Sequence, residues 1–350
     1  MNEEVEHMAC EVIVDNISRE DWERYAGDFA DYSIYQTWPY QQVRADMAFQ
    51  QVSRFIIKDE NGEVVTMGQV RTKHFKPLRL KIGYIQRGPL MCSKNGTLKC
   101  SPEVLSLLCQ AYLGSKLSIL RLVPNIYNGE KGRHITQMFE SGGFALVPQM
   151  KLYHTFVLRL DASEEELRRN LRSSWRGHLR QAEKVGLKIK EGTNHEYFSV
   201  FEALYQSTME RKDFKGLDLQ EFSRTHLELN DLEKMKFVIA YYDEQPVYAN
   251  VLSCIGDTAI YLLAAGNNLG RQLRASYLTW WRALLTARKA GMEYCDLGGI
   301  DPVNNTGVYM FKRGLGGVEA LSIGAFEACS SVIVKNVWRA AEKVYRLIKK

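Results

Sequence analysis

The residues best placed to do chemistry lie late in the chain, in CDLGGIDPVNNTGVYMFKRGLGG, Cys295 to Gly317. Gly298, Gly299, Gly307, Gly314, Gly316 and Gly317 surround one isolated pair, Phe311-Lys312. Glycines let a backbone turn with positive φ and come close to a ligand. Asp296 and Asp301 flank the end of the preceding strand and supply carboxylates. Lys312 follows an apolar residue, so its stem can be partly buried while its amine points into a cleft. A lysine held that way polarises a carbonyl and stabilises an oxyanion. The plainer reading is a solvent-exposed lysine on a turn, and spacing alone leaves both open.

Two further stretches carry charge in a pattern. From Glu164 to Lys184 the sequence predicts one long helix, opened by a capping box at Ser163–Glu166. Arg168, Arg172, Arg176, Arg180 and Lys184 recur every fourth residue on it, beside an apolar stripe of Leu167, Leu171, Trp175 and Leu179. That is either a solvated basic face or a track for a polyanion such as a tRNA backbone or a diphosphate. In YQTWPYQQVR, Tyr35 to Arg44, aromatics mix with charge. Trp38 reads as a core residue at a helix start or as a ligand contact, and Arg44 as a ligand-facing cation.

Other chemistries lack their signatures. There is no G-x-x-x-x-G-K-[ST], G-x-S-x-G, H-E-x-x-H or strand-borne G-x-G-x-x-G. The seven histidines stand at positions without ligand spacing, which argues against a metal hydrolase. Seven cysteines without a C-x-x-C pair read as free thiols of a reducing cytoplasm. The acidic N-terminus has no apolar core, so no signal peptide is expected. No run of about 18 apolar residues predicts a membrane span. A net charge of +5 permits anionic partners without demanding one. No module for sequence-specific DNA binding is recognisable.

These residues must be held by a scaffold of sheets and helices. SRFIIKDENGEVVTMGQVRTKHF predicts a hairpin turning at DENGE, LKIGYIQRGPLM a third strand, residues 102–114 a helix, and LSILRLVPN a short strand stopped by Pro124. A helix then ends at Gly142-Gly143, a strand follows, and LYHTFVLRLD continues the sheet. The second half repeats the order: three strands from Met235 to Gly266, an amphipathic helix closed by Gly291, and the strand MEYCDLGG that enters the glycine-rich loop. The fold class read from this is α/β (α+β): two similar domains with mixed sheets, 1–158 and 159–328. Residues 329–350 follow as a basic amphipathic helix with a stripe of Val334, Val337, Trp338, Ala341, Val344 and Ile348. That helix either packs on its own domain or touches an anionic membrane surface.

The Cys295–Gly317 stretch resembles the C-terminal signature of the FemAB-like family, non-ribosomal peptidyl transferases that build peptidoglycan cross-bridges, and of the wider Fem-like acyltransferases. QTWPYQQVR, YIQRGPLM, LRLVPN, LRSSWRGHLRQAEKVGLKI, LYQSTMERKDF and YLTWWRALLTARKAGMEYCDLGG follow in the family's order over roughly residues 20–330. The resemblance implies two tandem GNAT-like (acyl-CoA N-acyltransferase-like) domains. It puts Phe311 and Lys312 at the active site and Arg44 on the diphosphate of a sugar-peptide acceptor. A second phosphate-binding arginine matches Arg211, or alternatively Arg176, and Trp38 and Tyr309 are further substrate contacts. Asp296 and Glu327 are candidate proton acceptors.

The reaction implied is amide formation on an amine of a UDP- or lipid-linked peptidoglycan precursor, with aminoacyl-tRNA as donor and no cofactor. It would run in the cytoplasm, at the inner face of the membrane if the C-terminal helix docks there. The chain lacks the long helical hairpin insertion of some family members. NNLGRQLRAS lacks the glycine pattern with which GNAT enzymes hold the CoA pyrophosphate. Two other readings stay open: an N-acyltransferase using acyl-CoA on an amino sugar or peptide, and a non-catalytic binding protein on the same scaffold.

Overall fold

The computed structural model describes residues 10–212 and 218–348, with the side chains of all of these except 211, 212 and 345–348. The chain forms two compact units, residues 1–152 with 322–350, and residues 153–321.

The first unit opens with β1 (Glu11–Val14), α1 (Arg19–Ala26) and α2 (Trp38–Met47). The hairpin of β2 (Gln51–Lys58) and β3 (Val64–Phe75) turns where DENGE predicts it. There Asp59 accepts the amides of Asn61 and Glu63, and Gly62 takes φ +78°. Then come β4 (Leu80–Gln86), α3 (Pro102–Tyr112), β5 (Ile119–Val123), α4 (Glu130–Ser141) and β6 (Ala145–Leu146). Ser101 caps α3, and Pro102 at its first turn costs nothing because that amide has no helical partner.

The second unit runs β7 (His154–Arg159), α5 (Glu164–Asn170), α6 (Ser173–Lys184), β8 (Lys188–Gly192), α7 (Glu196–Lys212) and α8 (Gln220–Glu228). It continues with β9 (Lys236–Tyr242), β10 (Gln245–Ile255), β11 (Thr258–Gly266), α9 (Asn268–Gln272), α10 (Ala275–Lys289), β12 (Tyr294–Asp296), α11 (Thr306–Arg313) and β13 (Val318–Leu321). The chain then returns to the first unit as β14 (Phe326–Cys329) and α12 (Val332–Ile348).

Each unit is built on a seven-stranded mixed sheet. The orders are β1-β2-β3-β4-β5-β14-β6 and, read from the matching edge, β8-β9-β10-β11-β12-β7-β13. The two are the same topology, with one parallel pair each, β4·β5 and β11·β12. The sixth place is filled by the second unit's own first strand in one sheet, and by a strand returning from the end of the chain in the other. β7 precedes the second run, and β14 comes back to the first after the second is complete.

This corrects three expectations. LYHTFVLRLD does not continue the first sheet, because β7 pairs with β12 and β13. The boundaries at 158 and 328 give way to crossings at 152/153 and 321/322. Residues 329–350 are no separate appendage. α12 packs Trp338 on Leu80, Ile82 and Ile119, so the inward reading of that helix holds for Val334 and Trp338.

A fourth correction concerns the arginine helix. It breaks after Asn170, where Leu171 turns to ψ 142°. The amide of Arg172 donates to the Gly314 carbonyl at 3.0 Å, and Arg176 donates to the carbonyls of Arg169 and Leu171. The five basic residues therefore do not form one stripe. Arg168 is paired with Glu183, and Arg176 caps the end of α5.

In the first unit the core gathers Phe55, Leu105, Leu108, Leu120, Phe139 and Phe326. On the opposite face of that sheet, beneath α12 and beside Trp338, Arg121 and Glu327, each 3% exposed, meet at 2.5 Å, and Glu342 of α12 reaches the same guanidinium at 3.0 Å. In the second unit the core gathers Leu179, Leu252, Trp280, Leu284, Cys295 and Leu297. All seven cysteines are free thiols.

Candidate active site

The two parallel pairs end differently. β4 and β5 stay paired from Ile82↔Ile119 to Gln86↔Val123, the last residue of each strand. β11 and β12 pair over three residues only, Thr258↔Tyr294 to Ile260↔Asp296, and β11 then runs on to Gly266 without that neighbour. Free strand edges offer unpaired backbone N–H and C=O groups. A bulge at Val251/Leu252 disturbs the register with β10 beside this free stretch. Where the strands part, a cleft of about 330 Å³ opens inside the second unit. Tyr248, Tyr261, Trp280, Leu297, Phe311 and Lys312 line it, and Asn267, Arg271 and Ser276 join them from the C-terminal end of β11.

Lys312 reaches this cleft from a helix, not from the glycine-rich loop the sequence predicts. Asn305 caps α11 by accepting the Val308 amide, and Asp301 ties the turn before it by accepting the amides of Val303 and Asn304. A capped N-terminus lets two turns of helix form despite Gly307. Lys312 sits in the last turn and is 9% exposed. Its Nζ donates to the Gly299 carbonyl at 3.0 Å and lies 5.7 Å from the centre of the Trp280 ring. Burial lowers its pKa to about 8, against the pull of Asp296 and the Cys295 thiol.

The amine is positioned by its neighbours. Gly298 has φ +79°, and a Cβ there would stand 2.9 Å from the Tyr261 carbonyl and 3.2 Å from Lys312 Nζ. Asp296, 1% exposed, accepts hydrogen bonds from Tyr153, from Thr155 at 2.5 Å and from the Gly298 amide at 2.9 Å. Phe311 packs against Trp175, Tyr277 and Trp280 and forms part of the cleft wall. Tyr261 stacks on Trp280 at 3.8 Å, and Trp280 Nε1 donates to the Tyr248 hydroxyl. The arrangement is one buried amine at the end of an aromatic, largely apolar cleft with a free strand edge along its side. Such a site presents a partly desolvated cation to whatever enters the cleft.

The remaining sequence candidates lie elsewhere. Tyr309 is on the face of α11 turned to β7 and β13, packing on Phe156 and bonding Glu319, so it does not line the cleft. Glu327 belongs to the first unit and is committed to Arg121. Arg44 and Trp38 are also in the first unit. Arg44 bonds the Tyr40 hydroxyl and Gln86, and Trp38 is covered by the Arg54 guanidinium at 3.4 Å. The Arg211 side chain lies outside the described residues. The sequence reading missed Tyr248, Tyr261, Trp280 and Arg271. Their only signal there is aromatic residues on strands and a helix, and the register that brings them together is tertiary. Among the described residues no cluster of His, Cys, Asp or Glu could hold a metal ion.

Comparisons with known proteins agree with this frame. The model of the FemAB family matches residues 128–243 and 219–343, together more than half of the chain. The crystal structure of FemX superposes with a TM-score of 0.79 at 16% identity, over 97% of this chain and all of that one. A conserved protein of unknown function from Bacteroides thetaiotaomicron gives 0.59 at 12% identity, over 91% of this chain and 99% of its own. L-PGS from Bacillus licheniformis gives 0.53 at 12% identity, over 95% and 97%. No curated protein matches. At these identities the structural likenesses speak for the fold alone.

Proposed function

The chain belongs to the FemAB family, peptidoglycan-related aminoacyltransferases, and from that premise we propose that it moves an aminoacyl group from a charged tRNA to an amine of a peptidoglycan precursor. The attacking nitrogen adds to the ester carbonyl carbon and gives a tetrahedral adduct with a negative oxygen. The bond to the terminal ribose oxygen then breaks, and that oxygen takes up the proton the amine gives up. The ester is already activated, so the protein has to supply position and charge rather than a covalent intermediate.

The observation that carries the reading is the buried Lys312 amine where β11 and β12 part. In its charged form it stabilises the oxyanion, and the cleft keeps water from the ester. Phe311 and Trp280 hold the amine's surroundings dry, and Asp296 balances its charge. Arg44 is assigned to the acceptor's phosphates, and Arg211 to the same group. The reaction would run in the cytoplasm, where charged tRNA is available.

The test is a donor comparison on the purified protein. One arm receives a pool of charged tRNAs, the other acetyl-CoA and longer acyl-CoAs. Both contain UDP-linked sugar-pentapeptide and undecaprenyl-linked acceptors, and mass spectrometry reads the acceptors. Gain of an amino-acid residue with charged tRNA alone supports the proposal and identifies the residue. Gain of an acyl group with CoA donors alone overturns the tRNA assignment and moves the protein to the acyl-CoA branch.

A further inference from the structure

α12 has two faces that do different things. Val334 and Trp338 turn inward onto the first unit's sheet, and Glu342, the helix's one carboxylate, turns inward to Arg121. On the opposite side Ile333, Val337, Ala340 and Val344 follow at spacings of four, three and four, so they form one ridge along the helix. Ile333 is 75% exposed, Val344 55% and Val337 40%, and Val332 beside them is 73% exposed. Lys335, Arg339 and Lys343, four apart, run along the flank of this ridge, and none is ion-paired among the described residues. The sequence pattern puts Val337 and Val344 in one stripe with Trp338; the structure splits that stripe and leaves Val337 and Val344 in water.

We propose that the outer face of α12 lies on an anionic lipid surface. A lone exposed valine is ordinary, but a ridge of Ile333, Val337 and Val344 with Ala340 between them and Val332 beside it marks a surface that is covered in use. The chemistry of the flank chooses the partner. An anionic bilayer offers an apolar layer and a negative layer side by side, which matches an apolar ridge with cations on its edge. A nucleic acid would engage the cations and leave the ridge wet. A second copy meeting this one across a two-fold axis would bring cations against cations. No described helix is long and apolar enough to cross a membrane, so the contact is with the surface. Docking of this kind would bring the enzyme to acceptors carried on lipids; that consequence rests on the function proposed above, while the docking itself does not.

The experiment is flotation of the full chain with vesicles of phosphatidylcholine alone and of phosphatidylcholine with phosphatidylglycerol. The wild type is expected to float with the anionic vesicles and to stay behind with the neutral ones. The double variant Ile333→Asp/Val337→Asp and the charge variant Lys335→Glu/Lys343→Glu should each bind anionic vesicles about tenfold or more weakly. Both should keep the wild-type unfolding temperature and the wild-type rate on a soluble UDP-linked acceptor. Val344→Asp alone serves if the double variant fails to fold. No flotation of the wild type with anionic vesicles overturns the proposal. So does undiminished flotation of the ridge variants, or a solution dimer that the ridge variants dissociate while vesicles hold nothing. Because vesicle binding needs no catalysis, this outcome and that of the donor test are read separately.

Discussion

At the scale of single residues, Lys312 carries two opposed demands. Its pKa is held at about 8 by burial, so the charged form dominates below that pH and is lost above it. If the cation stabilises the oxyanion, acyl transfer should fall as pH rises through about 8. Lys312→Arg should remove that alkaline limb, because a guanidinium stays charged. Lys312→Met should lower kcat by roughly 10²–10³-fold with little change in acceptor binding. Equal loss of both would sink the transition-state role.

Stability runs the other way. Between about 8 and the ordinary value of 10.5 the unfolded chain binds more protons than the folded one, so stability rises with pH across that window. Below it the folded state carries a buried charge at a cost of roughly 2–4 kcal/mol. Lys312→Met should therefore lose the rise in stability between about pH 8 and 10.5 in calorimetric scans, while losing activity. Gly298→Ala should cost about 1–3 kcal/mol and also slow catalysis, since its methyl would meet the Tyr261 carbonyl and the Lys312 amine in a left-handed backbone.

At the scale of elements, the capping box at Ser163 and the helix end at Gly291 are legible because caps are local chemistry. The break between α5 and α6 is not. A four-residue period of arginines says helix throughout, but the Gly314 carbonyl takes the Arg172 amide, and Trp175 fills the space a Cβ on Gly314 would need. A tertiary contact outweighs a local pattern there. Arg176→Ala should accordingly lower stability by about 1–2 kcal/mol through loss of the cap on α5. A chemical-denaturation midpoint reads this, and an unchanged midpoint would return Arg176 to the phosphate assignment. The helix α11 was missed for the converse reason. Glycines in its sequence suggested a loop, while the Asn305 cap and packing of Phe311 on Trp175, Tyr277 and Trp280 hold the helix.

At the scale of the molecule, the return of β14 to the first sheet decides what can fold alone. A fragment 1–158 lacks β14, so it leaves Arg121 buried without Glu327 and opens the sheet between β5 and β6. It is expected to be insoluble or molten by circular dichroism and proteolysis. Residues 1–152 joined by a short linker to 322–350 are expected to fold, since Leu152 already lies against Gly324. A folded 1–158 fragment would refute the return of β14 as a requirement. Glu327→Ala in the full chain should cost about 3–5 kcal/mol, the penalty of stranding a buried guanidinium.

The sequence by itself determined the strands of both sheets and several of the helices, the repeated strand-helix order of the two halves, and the candidacy of Lys312, because hydrophobic period, caps and glycine placement are written in neighbouring residues. It could not decide which sheet β7 and β14 join, since strand partners are chosen by burial and pairing across long separations. Nor could it show that β11 outruns β12 while β4 and β5 stay paired to their ends. That difference leaves a cleft walled by Leu297, Phe311 and Trp280, with a buried amine at its end.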